Sequence, residues 1–255
     1  MAKKQQHLSS VHNAIRILHE FSDDTPELGI SELSARLGLA KSTVFRLIRT
    51  LCEAHLIEQD SATHKYRLGL GTFVIGSIAY RKLELRAKAF PLLVDLMNSV
   101  RRVVRLGIYD QGGVVYLCKL PEDKETARFS SIGKRVACHS TAIGKLLLAY
   151  QHEKEIRRVL QKPLAAYTPR TIVDPERVLA QLSEIRKNGY ALTQEEATPG
   201  ICSVAVPVFN DEGNVIAAIS VTGSRSEFLP AQVQTYVRQM RTCSRLITER
   251  LDIIT

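Results

Sequence analysis

Residues 30–51 read ISELSARLGLAKSTVFRLIRTL, and their apolar positions fall into two short helical registers separated by a turn. In the first, Ser31 is placed to cap the helix, Glu32 favours its positive end, and Leu33 and Leu37 form the buried stripe. Gly38 is placed to end it in the left-handed conformation. After Leu39 and Ala40 a second helix begins at Lys41, in which Val44, Leu47, Ile48 and Leu51 stand at i, i+3, i+4 and i+7. At about 100° per residue, Ser42, Thr43, Arg46, Arg49 and Thr50 then share an arc of roughly 120° on the outer side. These are side chains that bind phosphates and base edges. Helix, glycine turn and helix with such a face make a helix-turn-helix, whose second helix enters the DNA major groove.

The flanking sequence agrees. Val11, Ala14, Ile15, Leu18 and Phe21 recur at three and four, which predicts a preceding helix. Over 56–68, two short extended runs flank Ser61-Ala62-Thr63-His64, with Tyr66 and Leu68 alternating with Lys65 and Arg67. That pattern predicts a wing hairpin with two outward cations. The net charge of the chain is +9, which suits a polyanionic partner. Residues 1–82 hold 11 Lys and Arg against 8 Asp and Glu, so the DNA reading rests on a local basic face.

Beyond the wing, 70–82 and the segment from about Leu85 read as two helices. The first carries Phe73, Val74 and Ile78 as its stripe, the second Leu92, Leu93, Leu96, Met97 and Val100, with Pro91 expected to kink it or mark its early turns. Strand-like runs at 103–109 and 114–120 flank Asp110-Gln111-Gly112-Gly113. A second such pair, 203–209 and 215–222, flanks Asp211-Glu212-Gly213-Asn214. Helices are expected at 141–150, 153–160, from the Asp174 cap and Pro175 to Gly189, and at 230–253. Hairpins with helices segregated around them predict an α+β domain.

Several function classes find no support in the sequence. The uncharged run 68–80 has 13 residues, short of the roughly 18–20 needed to span a bilayer. The start MAKKQQHLSSVHNAIRIL lacks the apolar core of a secretory signal, so the expected location is cytoplasmic. Cys52, Cys118, Cys138, Cys202 and Cys243 form no C-x-x-C pair and read as reduced core thiols. With the histidines equally scattered and His139 isolated in an apolar segment, no metal site or cofactor is expected. No nucleotide-binding motif surrounds Gly69, Gly71 and Gly76 or precedes Gly144-Lys145. The S-x-x-K at 131–134 lacks the partner elements of a hydrolase. Glu195-Glu196 is expected to be structural or solvated, and no nucleophile, base and orienting group assemble into a catalytic set.

The segment 30–51, followed by YRLG at 66–69, resembles the winged helix-turn-helix of the IclR family of bacterial transcription regulators. IGKRVACHSTAIGKLLLAY at 132–150, GYALTQEEATPGICSVAVPVF at 189–209 and GNVIAAISVTG at 213–223 resemble that family's effector-binding domain, in the same order along the chain. The resemblance implies a winged helix-turn-helix domain over 1–69, a linker helix and dimer contact over 70–84, and an α+β, GAF-like effector-binding domain over 85–255. It further implies a homodimer, or a dimer of dimers, on palindromic operator DNA.

Carried over by position, the family's effector pocket falls on Ala142, Ile143, Thr193, Ile201, Ser203, Ser220 and Thr222. The residues themselves are compatible. Backbone N–H groups at the helix start near 141–143 favour an anionic group, and Ser203, Ser220 and Thr222 supply hydroxyls at alternating strand positions. Thr193 stands where some family members carry aspartate, and Arg102 stands where glutamate is usual. The expected protein is a non-enzymatic, ligand-responsive repressor of a catabolic operon, answering a small organic or sugar acid. The reading residues are Lys41, Ser42, Thr43, Arg46, Arg49 and Thr50, with Lys65 and Arg67 on the DNA backbone. Alternatives are an activator of the same family, a regulator whose C-terminal domain only assembles subunits, and an enzyme tethered to DNA.

Overall fold

Helices α1 (Ser9–His19), α2 (Ile30–Leu37) and α3 (Lys41–Glu53) turn their apolar stripes to one another in the computed structural model, which describes residues 9–22, 25–81, 83–120, 133 and 135–252. Their shared core holds Ile17, Phe21, Leu28, Leu33, Leu37, Val44, Ile48 and Leu51, closed from below by Ile57 and Tyr66. Gly38 caps α2 at φ 67°, a left-handed conformation that glycine adopts without strain. The other end of α2 departs from expectation. The cap is Gly29, not Ser31, because the Glu32 carboxylate accepts the Gly29 N–H at 2.7 Å and starts the helix earlier.

Strands β1 (Ile57–Gln59) and β2 (Tyr66–Leu68) form the expected antiparallel wing, with Glu58 opposite Arg67. Its turn is held by Asp60, whose carboxylate accepts the N–H groups of Ala62 (3.0 Å) and Thr63 (2.7 Å). Those bonds hold the Asp60 carboxyl below the usual range. Tyr66 is buried, but Leu68 stays exposed because β2 ends there, so the alternation breaks at its last residue. In α4 (Leu70–Arg81) the stripe is not buried: Leu70, Phe73, Val74, Ile75 and Ile78 are 49–70% exposed. Lys82, assigned to that helix from the sequence, lies outside the described residues.

The contacts divide the chain into two units, 1–83 and 84–255. In the second, α5 (Glu84–Val100) precedes β3 (Val103–Asp110), β4 (Gly113–Leu120) and β5 (Arg135–Ala137). Helices α6 (Ala142–Ala149), α7 (Glu153–Leu160) and α8 (Pro175–Asn188) follow, then β6 (Ala191–Gln194), β7 (Ile201–Phe209), β8 (Val215–Ser224) and α9 (Pro230–Asp252). Pro91 sits in the interior of α5, whose helical assignment runs through it, and Ile253 lies outside the described residues. Both hairpins form, the first around Gln111 and Gly112, both at positive φ.

The sheet is six-stranded and antiparallel in the order β5-β4-β3-β8-β7-β6. Helices α5 and α9 lie against one face, where Ser244 and Thr248 of α9 donate to the carbonyls of Pro207 and Phe209 at 2.7 and 2.8 Å. Helices α6 and α8 lie on the other, which makes the α+β layering expected from the sequence.

On that second face the sheet presents Ala191, Ala205 and Ala218, small enough for α6 to approach closely. Gly144 of α6 is part of the same fit: a Cβ there would stand 2.6 Å from the Cα and carbonyl oxygen of Cys138. Since backbone cannot swing aside like a side chain, Gly144→Ala is predicted to cost about 1–3 kcal/mol as an overpacking change. Urea unfolding reads it, and wild-type stability would show that α6 can lift from Cys138 without penalty.

Candidate functional site

Helix α3 presents Lys41, Ser42, Thr43, Arg46, Arg49 and Thr50 to the exterior, all exposed, while Val44, Ile48 and Leu51 are buried. The structure therefore brings the predicted reading residues onto one face. Their charges are not equivalent. Arg49 is paired with Glu53 one turn on at 3.2 Å, and Thr50 donates its hydroxyl to the Arg46 carbonyl at 3.2 Å. Among the described residues, Lys41 and Arg46 have no ion-pair partner. Phe45, half exposed, was missed. At 100° per residue it stands about 40° beyond Arg49, so the helical wheel contained the signal.

The wing cations are already engaged with acids. Arg67 donates to Glu58 at 2.7 Å and lies 3.8 Å from Glu27; Lys65 lies 3.9 Å from Glu32. The Glu58 bond raises the Arg67 pKa. A phosphate must displace or join these carboxylates. Exposed pairs of this kind are worth only about 0.2–1 kcal/mol.

In the C-terminal unit, β-sheet register places Thr193 opposite Ser203, Ser203 opposite Thr222, and Thr222 opposite Val103, so the three hydroxyls form one row across β6, β7 and β8. The Ser203 and Thr222 hydroxyls are 2.8 Å apart, and Ser203 also reaches the Val221 carbonyl at 3.2 Å. Thr193 donates to the Ser203 carbonyl at 3.5 Å. Ser220, buried, stands in the next row on the same face, opposite Arg105. Arg105, which the sequence reading passed over, donates to Thr222 at 2.7 Å. Ala142 and Ile143 are buried at the start of α6. Ile201 is 39% exposed, at the outer end of β7.

The helix start carries less free polarity than expected, because the Thr141 hydroxyl accepts the Gly144 N–H at 3.1 Å. Arg102 turns away from this face. It lies over Gly223 and pairs with Glu227 at 2.7 Å.

Lys145 holds α6 down. Wholly buried on α6, its ammonium donates to Glu196 at 2.5 Å and to Gln181 of α8 at 2.6 Å. Burial pulls its pKa down and the Glu196 charge opposes that shift. Glu195 accepts from Arg225 at 2.8 Å and from the Gly200 N–H at 3.0 Å. Both acids of the pair thus have structural partners. His139 bonds the Ala165 carbonyl at 2.9 Å and stacks on Tyr167. All five cysteines are free, and among the described residues no group of His, Cys, Asp and Glu has metal-site geometry. The S-x-x-K serine and lysine lie outside the described residues.

Leaving Lys145 buried without its acid is predicted to be costly: Glu196→Leu should lose about 3–5 kcal/mol, and adding Lys145→Met should recover most of it. Chemical denaturation of the two variants checks this, and a double variant as unstable as the single one would contradict it.

Comparisons with known proteins give the geometry a family. Residues 10–61 match the IclR helix-turn-helix domain, and residues 78–249 match the bacterial transcriptional regulator IclR C-terminal domain. The HTH-type transcriptional regulator XynR of Escherichia coli K12 is 35% identical over 250 residues, covering 96% of this chain and 97% of that protein. The HTH-type transcriptional repressor AllR of Escherichia coli K12 is 28% identical over 250 residues, covering 98% and 92%. The crystal structure of an IclR homologue from Microbacterium hydrocarbonoxydans, complexed with 4-hydroxybenzoate, matches with a TM-score of 0.78 and 26% identity over 95% of this chain and 99% of that one. No described helix is long and apolar enough to cross a membrane. A winged helix-turn-helix unit joined to this α+β unit, with full-length similarity to regulators of one kind, makes the chain a DNA-binding transcription regulator of the IclR family.

Proposed function

We propose that this regulator is a repressor of a catabolic operon whose operator affinity is set by a small organic or sugar acid bound in the C-terminal unit. The observation that carries the reading is the row Thr193, Ser203 and Thr222, with Ser220 beside it, on the interior face of the sheet. A face built only for packing would hold aliphatic side chains there, and buried hydroxyls are costly unless they have partners. The bound 4-hydroxybenzoate of the Microbacterium homologue supports an acid as ligand class, and AllR supports repression. Activation, or a C-terminal unit that only assembles subunits, remains the alternative to be tested.

In this reading, residues 1–69 are the DNA-binding domain, 70–84 the linker and dimer contact, and 85–255 the effector-binding domain. Exposed Leu70, Phe73, Val74, Ile75 and Ile78 on α4 support a dimer, since a soluble helix rarely keeps such a face in water. A dimer of dimers would follow the same symmetry logic. Each subunit places α3 in the major groove, with Ser42, Thr43, Arg46 and Arg49 at bases or phosphates, Lys41 and Thr50 beside them on the same face, and the wing's Lys65 and Arg67 on the backbone.

Gel-shift titration against DNA upstream of the protein's own gene, at two salt concentrations, tests this. Arg46→Ala should lose about 1–3 kcal/mol of specific affinity. Arg67→Ala should lose less, because Glu58 and Glu27 already compete for its charge. Equal losses would remove the distinction between free and engaged cations. Ser220→Ala should leave operator affinity unchanged and weaken the response to acid; an unaltered response would move the pocket elsewhere.

A further inference from the structure

Strand β3 lies inside the sheet between β4 and β8, and it carries a cation at an interior position. Arg105 stands opposite Ser220 on one side and opposite Lys119 on the other. Two half-buried cations therefore stand side by side, and like charges placed directly opposite in a ladder destabilise it. Among the described residues, no carboxylate forms an ion pair with either. Other sheltered cations of the same unit are treated differently: Lys88 has Glu84, Arg102 has Glu227 and Lys145 has Glu196. Burial lowers the pKa of Arg105, opposed by the Tyr116 phenol, and burial together with the Arg105 charge lowers that of Lys119. Guanidinium nonetheless stays protonated, so this face holds a positive charge with no carboxylate partner among the described residues.

The charge is aimed at the hydroxyl row. Arg105 Nη1 donates to Thr222 Oγ1 at 2.7 Å, and that oxygen is 2.8 Å from Ser203 Oγ. The guanidinium carbon also stands 5.8 Å from the Tyr116 ring centroid. Arginine has five N–H donors in a planar fork suited to a carboxylate, and the bond to Thr222 uses one.

We propose that Arg105, seconded by Lys119, is the anion locus of the effector site: it binds the carboxylate of the acid, while Thr222 and Tyr116 hold the guanidinium in position. This deepens the proposed function and rests on its reading that the C-terminal unit binds a small acid. The site then selects against neutral analogues, which would leave both half-buried cations without an anion.

The test uses the full-length protein with acetate, glycolate, 4-hydroxybenzoate and gluconate, each set against its own amide, by calorimetry and thermal shift. At least one acid should bind and its amide should not. Arg105→Gln should weaken that acid by roughly ten- to a hundredfold, Arg105→Lys by less, and the unliganded Gln variant should melt no lower than wild type. Equal binding of acid and amide, or wild-type affinity in Arg105→Gln, overturns the assignment while leaving an effector site in place. A Gln variant that melts lower yet binds normally makes Arg105 a structural residue. If no acid binds the wild type, the effector reading itself fails and takes this assignment with it.

Discussion

The buried pair between Lys145 and Glu196 is the constraint around which the C-terminal unit is arranged. It ties α6 to the segment that joins β6 to β7, and through Gln181 it also engages α8. An ammonium taken out of water tolerates little displacement from its acid, because any gap leaves a charge uncompensated in a low-dielectric interior. The small residues beneath follow from the same requirement. Ala191, Ala205 and Ala218 on the sheet and Gly144 on the helix let α6 lie close enough for Lys145 to reach. The start of α6, with Ala142 and Ile143, is thereby held at a defined height over the strands that bear Thr193, Ser203, Ser220 and Thr222.

The same face shows two ways of keeping a cation sheltered. Lys145 is paired with an acid and gives the fold its geometry, whereas Arg105 and Lys119 stand beside hydroxyls with no carboxylate partner among the described residues. The DNA-binding unit repeats the contrast in water. Arg67, Lys65 and Arg49 are paired with carboxylates, and Arg46 is left open on the reading face. Net charge alone hides this distribution, since the excess of cations over residues 1–82 is small.

Much of the fold was legible because its signals are local. The i, i+3, i+4 stripes of α2 and α3, the glycine turn, the Asp174-Pro175 start of α8 and both hairpin turns are properties of neighbouring residues. The short strands β5 and β6 were not found, since three or four residues are too few to establish a period of two. The Gly29 cap was missed because a glycine offers no side chain to recognise, and the signal lay in Glu32 reaching back. Among the site residues, a row of hydroxyls could be placed by likeness to a family. Arg105 could have been seen in the sequence as a charge interrupting the apolar alternation of 103–109, with Lys119 its counterpart in the same hairpin. That Lys145 pairs with Glu196 was not legible, because the two are joined only by the folded sheet and its covering helix.

In the proposed function, one chain couples an acid site to a DNA-reading helix. Coupling free energy is reciprocal: an effector that changes operator affinity by some factor must have its own affinity changed by operator DNA by the same factor. The most direct measurement is therefore the pair of dissociation constants for operator, with and without saturating acid, alongside those for the acid with and without operator. Equal factors of roughly 5 to 150 are expected in the two directions. A factor of one in both, with each ligand binding normally, would contradict it.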